Sequence, residues 1–155
     1  MRKKKREITD IREIADVVNN IASIRLGIND GEYPYVVPVS FGYELKDDRL
    51  IFYFHGARIG KKAELLDKNP KVCIEGDNFH RYQDTVDSVT CFYESVIACG
   101  RAEKLSGEEA MHGIEAVLEH CGYPGHFVNE KYFPAMNVYR VVADSVTGKY
   151  KDRNN

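Results

Sequence analysis

The feature that most narrows the fold is an alternating run, Tyr35–Leu45, set between two tight-turn signals. Its odd positions Tyr35, Val37, Val39, Phe41 and Tyr43 are all bulky. Its even positions Val36, Pro38, Ser40, Gly42 and Glu44 are smaller and mixed. A period of two belongs to a β-strand, whose side chains alternate between faces. Before the run stands Asn29-Asp30-Gly31, where Asp-Gly readily supplies the positive φ of a hairpin turn. After it stands Lys46-Asp47-Asp48-Arg49, a second tight turn. Ala22–Asn29 and Leu50–His55 are therefore expected as antiparallel neighbours of the run. The second is continuously apolar, as expected of a strand buried on both faces.

The rest of the chain continues in the same manner. Ile11, Ile14, Ala15 and Val18 share one face of an expected helix over Ile11–Asn20, with Thr9 or Asp10 as its cap and Glu13 three residues after Asp10. A short helix is expected over Arg58–Asp67, stopped by Asn69-Pro70. Val72–Asp77 reads as a strand and Asn78–Ser88 as a polar, aromatic, mobile loop. Val89–Leu105 is a long strand in which Gly100 marks a bulge or a close backbone approach. Ser106 and Glu109 form a capping box for a helix to His120, ended by Gly122. A last strand is expected over Asn137–Thr147. Hairpin-linked strands with few helices suggest an antiparallel barrel, since closure removes exposed edges. The 155 residues suit a single domain, 1–155, with 1–8 and 151–155 frayed.

Composition excludes several classes. A formal net charge of −2 lacks the basic excess of a nucleic-acid binder, and the run Arg2–Arg6 reads as a solvated terminus. No apolar run is long enough to span a bilayer, and no signal-peptide apolar region follows the charged start, so the expected compartment is cytoplasmic. Cys73, Cys91, Cys99 and Cys121 have no C-x-x-C spacing and read as buried free thiols. His112 and His120 form no metal motif, so no metal is expected.

Chemistry concentrates in Phe52–Lys62. A buried strand ends at Gly56-Ala57, and a helix then begins among Arg58, Lys61 and Lys62. A helix N-terminus accepts an anion, and glycines let backbone approach a ligand closely. On these residues alone the stretch is either a phosphate site or a solvated basic turn. Pro38 cannot donate to a sheet ladder, so it marks either an ordinary edge strand or a position left open for a flat heterocycle.

Taken together, Pro34-x-x-x-Pro38-Val39-Ser40-Phe41-Gly42-Tyr43 and Phe52-x-x-His55-Gly56-Ala57-x-x-Gly60-Lys61-Lys62-x-Glu64-Leu65-Leu66-x-x-Asn69-Pro70 resemble the pyridoxamine 5′-phosphate oxidase-like FMN-binding split barrels. The nitroimidazole-resistance (Nim-type) branch is the most similar. Val72–Glu75, Tyr93–Ala102 and Thr147-Gly148-Lys149 continue the match, which runs in order from about Arg25 to Lys149. The resemblance implies a mainly β fold: a six-stranded antiparallel split β-barrel with short flanking helices, forming a homodimer with FMN at the interface. It implies that Val37, Pro38, Val39, Ser40 and Phe41 line the isoalloxazine, mostly through backbone. His55, Gly56 and Ala57 would lie beside the ring and ribityl chain, Lys61 and Lys62 would hold the phosphate, and Ser95 would reach the flavin across the dimer. The Ser-Arg-Lys phosphate cluster of the true oxidases is replaced here by Ile59-Gly60-Lys61, and their C-terminal arginine pattern is missing. The resemblance therefore does not extend to vitamin B6 oxidation.

The expected function is an FMN-dependent, nitroreductase-like oxidoreductase acting on a small organic acceptor. No G-x-G-x-x-G fingerprint follows a strand, so NAD(P)H would bind only transiently as donor. His55 is the candidate catalytic group, because histidine titrates near neutrality, and the alternative is a strand-end histidine bonded to backbone. Tyr93, Tyr123, His126 and Tyr132 are further candidates to close a pocket. Rival readings are a non-catalytic flavin-binding or redox-sensing module, or the same barrel holding haem or a deazaflavin, with His120 or His126 as candidate axial ligand.

Overall fold

The structure, a computed structural model, describes residues 4–151. After a short 3-10 helix at Lys4–Arg6 come β1 (Glu7–Ile8), α1 (Ile11–Asn19), β2 (Ile24–Asp30), β3 (Tyr33–Val39), β4 (Phe41–Lys46) and β5 (Arg49–Ala57). Then follow α2 (Lys61–Lys68), β6 (Lys71–Asp84), β7 (Val89–Leu105), α3 (Gly107–His120), a 3-10 helix at Glu130–Ala135 and β8 (Met136–Lys151).

All strand pairings are antiparallel, in the order β3-β2-β6-β7-β8-β5-β4, with β1 added to β8. The two ends of that order are one piece of chain, because only Ser40 separates β3 from β4. The β3/β4 run gives its first half to β2 and its second half to β5, and so closes the ring. Counted this way the barrel has six long strands, as the resemblance implied. The single return strand expected over 35–45 is thus two half-strands that change partners at Ser40.

Alternation places the core. Phe41, Phe52 and Phe54 are fully buried inside the barrel with Leu26, Ile28, Ile74 and Val141. Burying each such side chain contributes about 1.5–3 kcal/mol. Asp10 caps α1 by accepting from the Arg12 N–H, and Ile14, Val17 and Val18 turn its apolar face into this core. A second cluster forms where Ile114 and Val117 of α3 cover Tyr53, Leu105 and Val138. The helix packs so closely there that a Cβ at Gly42 would overlap the backbone of Ala116 and Val117.

Several expectations are corrected. Residues 78–84 are not a loop: β6 continues through them as a ribbon paired with β7, leaving a short turn before Val89. Glu7 and Ile8 pair with Lys149 and Gly148, and Ile8 is buried, so fraying does not reach them. Lys151 also belongs to β8, while 1–3 and 152–155 lie outside the described residues. Ser106 precedes α3 but makes no side-chain cap bond. Cys73, Cys99 and Cys121 are exposed rather than buried, because their strand positions face outward or follow a helix end. Gly100 does sit at a register shift between β7 and β8. Among the described residues, no helix is long and apolar enough to cross a membrane.

Candidate functional site

The partner change at Ser40 creates the site. β4 pairs with β5 only as far as Phe41 opposite Phe54, whereas β5 runs on to Ala57 against β8. Extending the β4–β5 register sets Ser40 beside His55, and Val39 and Pro38 beside Gly56 and Ala57. Instead of pairing there, β3 leaves toward β2, and the barrel splits. Counting back from the two-residue turn after Asp30, ladder alternation turns the backbone polar groups of Pro34, Val36 and Pro38 to the open edge of β3. Two prolines there remove donors and blunt the edge against strand addition.

The α2 helix closes one end of this cleft. Its cap is Gly60, at φ 130°, a conformation that favours glycine, and no side chain caps the helix. Its first N–H groups and dipole therefore point outward without an acidic cap. Lys61 is tied to the β2–β3 hairpin through an ion pair with Asp30 at 2.5 Å, and its ammonium lies 5.0 Å from the Tyr35 ring centre. Asp30 raises the Lys61 pKa. Lys62 folds back across the end of β5, donating to the His55 carbonyl at 3.1 Å and lying 5.7 Å from the Phe54 ring centre. Gly56 makes that seat possible, since a Cβ there would come within 2.5 Å of Lys62 Cε. Burial lowers the Lys62 pKa, and among the described residues Lys62 has no carboxylate partner.

His55 reaches solvent, yet protein atoms crowd its ring. That desolvation, followed by the Lys62 ammonium, holds its pKa below the ordinary 6.5, so the imidazole is neutral at pH 7. Arg58 turns away from the cleft and donates to the Pro134 carbonyl at 3.3 Å.

Lys62 thus sits on the His55-Gly56-Ala57 end of β5, Lys61 reaches Tyr35 and Asp30 of the β2–β3 hairpin, and Val37, Pro38, Val39 and Ser40 lie on the run that leaves β5 beyond Phe41. Val39 and Phe41 point their side chains into the core, so only their backbone can face the cleft. Ser95 is not part of the group. Through Asp77 of β6 and the start of β2, Ser95 lies level with Ser40, three strand spacings or about 14 Å round the barrel. The His120 ring lies tilted against Phe41, 4.2 Å between centres, and bonds the Ile21 carbonyl at 2.8 Å, which accounts for it structurally.

One cluster had no sequence signal. His112 on α3 meets Glu44 Oε1 at 2.7 Å, and the Tyr53 hydroxyl donates to Glu44 Oε2 at 2.8 Å. Burial first, then Glu44, pushes Tyr53 up to about 12. His112 also lines a cavity of about 610 Å³ with Met111, Phe133 and Pro134. A cavity of about 690 Å³ adjoins Tyr43 and His120, and one of about 550 Å³ adjoins Cys73 and Cys99. None of these three includes Pro38, His55 or Lys62.

A closed six-stranded barrel that splits beside a basic, uncapped helix defines this as a split-barrel protein. The family model described as pyridoxamine 5′-phosphate oxidase matches residues 10–150, and the chain belongs to that family. A structure described as that of a proposed 5-nitroimidazole antibiotic resistance protein from Bacteroides thetaiotaomicron is 29% identical, with a TM-score of 0.82, over 93% of this chain and 86% of that one. The flavocytochrome Anf3 from Azotobacter vinelandii shares the fold at 19% identity and a TM-score of 0.79, over 98% of this chain and 72% of that one. An FAD and heme binding protein from Mycobacterium smegmatis shares it at 15% and 0.75, over 95% and 74%. No curated protein matches the sequence.

Proposed function

We propose that this chain is a cytoplasmic FMN-binding oxidoreductase that works as a homodimer, with two equivalent flavin sites between subunits and a small organic molecule, such as a nitro-aromatic, as acceptor. The observation that carries the reading is Lys62, a half-buried ammonium without a carboxylate partner beside the uncapped start of α2. Desolvating a cation is costly unless an anion compensates it, and a phosphate answers both the cation and the free N–H groups. Lys61 would add to that grip only by sharing its charge with Asp30. The backbone of Val36–Ser40 and the His55–Ala57 end of β5 would form the two sides of a slot for a flat ring, with a second copy covering it. A two-fold dimer repeats every such contact, and Ser95 would reach the flavin from the second copy.

When bound, FMN supplies electron or hydride transfer to the acceptor. The chain's own part is to hold the phosphate through Lys62 and α2, orient the ring along β3, and keep a neutral imidazole at His55. That imidazole can accept or relay one proton at the cleft wall. A transient NAD(P)H donor is consistent with the absence of a dinucleotide fingerprint.

The test is flavin affinity in Lys62→Ala and Lys61→Ala. Loss of a charge-assisted bond of about 1.5–3 kcal/mol predicts a Kd about 10- to 150-fold weaker for Lys62→Ala, and a smaller loss for Lys61→Ala. Unchanged affinity in Lys62→Ala would remove the phosphate assignment. The comparison with nitro-aromatic turnover under NADH or NADPH then separates catalysis from flavin binding alone.

A further inference from the structure

Cys73 of β6 and Cys99 of β7 are direct partners in the ladder, and both are exposed on the outer face of the barrel. The type of pair they form follows from a neighbouring bond. Ala102 N–H donates to the Pro70 carbonyl at 2.8 Å, which makes 70/102 a hydrogen-bonded pair. Antiparallel pairs alternate, so 71/101 is not hydrogen-bonded, 72/100 is, and 73/99 is not. Non-hydrogen-bonded partners have Cα atoms about 4.5 Å apart with their side chains close, at the near end of the roughly 4.4–6.8 Å that a disulfide spans.

The surroundings leave that pair reachable. The next position across the sheet from Cys73 is Gly27, which has no side chain to cover the thiol. On the other side Cys99 faces Ser145, a small polar residue. Gly27, Cys73, Cys99, Arg101 and Asp144 line a cavity of about 550 Å³, open to solvent and large enough for a small peptide-like thiol compound. Burial, followed by the adjacent Cys99 thiol, raises the Cys73 pKa. Neither cysteine takes part in the flavin cleft described above, and the inference does not rest on that reading.

We infer that Cys73 and Cys99 form a dithiol site for low-molecular-weight disulfides, which convert the pair to a reversible cross-strand disulfide. The thiolate of one cysteine attacks a sulfur of the small disulfide RSSR. A mixed protein–SR disulfide forms, and one RS⁻ leaves. The second cysteine then attacks the protein sulfur of that mixed disulfide, closing the Cys73–Cys99 bond and releasing the second RS⁻. The protons of the two protein thiols end on the two RSH products. The protein pair is oxidised by two electrons and RSSR is reduced by two. Because the partners already stand in register, closing the bond needs side-chain rotation rather than a change of strand register.

The test treats the purified protein with excess oxidised glutathione at pH 8, blocks remaining thiols, and maps non-reduced peptides by mass spectrometry. The expected result in the wild type is a peptide cross-link between Cys73 and Cys99 that dithiothreitol removes, with the chain still a single species on a non-reducing gel. In Cys73→Ser the glutathione is expected to stay on Cys99 as a mixed disulfide, because the resolving thiol is gone, and Cys99→Ser should trap it on Cys73. Glutathione retained on either residue of the wild type would overturn the inference. So would a cross-link between chains through these residues, or both thiols recovered free while the urea-unfolded chain reacts.

Discussion

Two glycine-to-alanine changes that look alike on paper should act on different properties of the protein. At Gly42 an added Cβ meets the backbone of Ala116 and Val117, which cannot yield unless α3 moves as a body. Overpacking of that kind costs about 1–3 kcal/mol. For a chain of 155 residues this lowers Tm by roughly 2–12 °C. At Gly56 the added Cβ meets only the far end of Lys62, 2.5 Å from Cε and 2.6 Å from Nζ. Gly56 is not among the glycines held at positive φ, so alanine fits its backbone. Lys62 can swing away, losing its bond to the His55 carbonyl at about 0.5–1.5 kcal/mol, while the alanine returns about 0.4–1 kcal/mol by restricting the unfolded chain. Stability should therefore stay nearly level. The displaced ammonium no longer sits at the cleft, so FMN affinity should fall by about 10- to 150-fold. Thermal melts and flavin titrations of the two variants read both quantities. A Gly56→Ala protein that melts like the wild type and binds FMN equally well would refute the argument that Gly56 exists to seat Lys62.

Two further outcomes follow from the described groups. His55 has a folded-state pKa below its unfolded 6.5, so its contribution is fully present above pH 6.5 and is lost as pH falls through the folded value. Melts between pH 7.5 and 5 should show His55→Gln losing less Tm on acidification than the wild type, and parallel curves would contradict the lowered pKa. Tyr53→Phe removes the hydroxyl bonded to Glu44 and should cost about 1 kcal/mol, or roughly 2–4 °C in Tm, without changing flavin affinity.

What the sequence revealed and what it hid divide along one physical line. Local alternation and turn chemistry were enough to expose β2, β5, β7 and the helices, and the Gly56–Lys62 stretch carried its own basic helix start. The tail of β6 escaped because Phe79 and Tyr82 stand on a two-sided, exposed ribbon, which has no apolar face to mark its period. The change of partner at Ser40 escaped because period two runs straight through it; the split depends on which strand lies alongside, and polarity does not encode that. The pairing of Glu44 with His112 spans 68 positions, and no spacing rule joins them. Ser95 came from family resemblance alone: it stands on β7, three strands round the barrel from Ser40, and no local pattern marks it for the cleft.

Lys62 and the start of α2 are proposed to hold a flavin phosphate. The most direct measurement is a pair of titrations on flavin-free protein, following quenching of flavin fluorescence with FMN and with riboflavin, which shares the ring and ribityl chain but lacks the phosphate. FMN is expected to bind at least about tenfold more tightly, and the gap to narrow in Lys62→Ala. Equal affinity for the two flavins, or no binding of either, would contradict it.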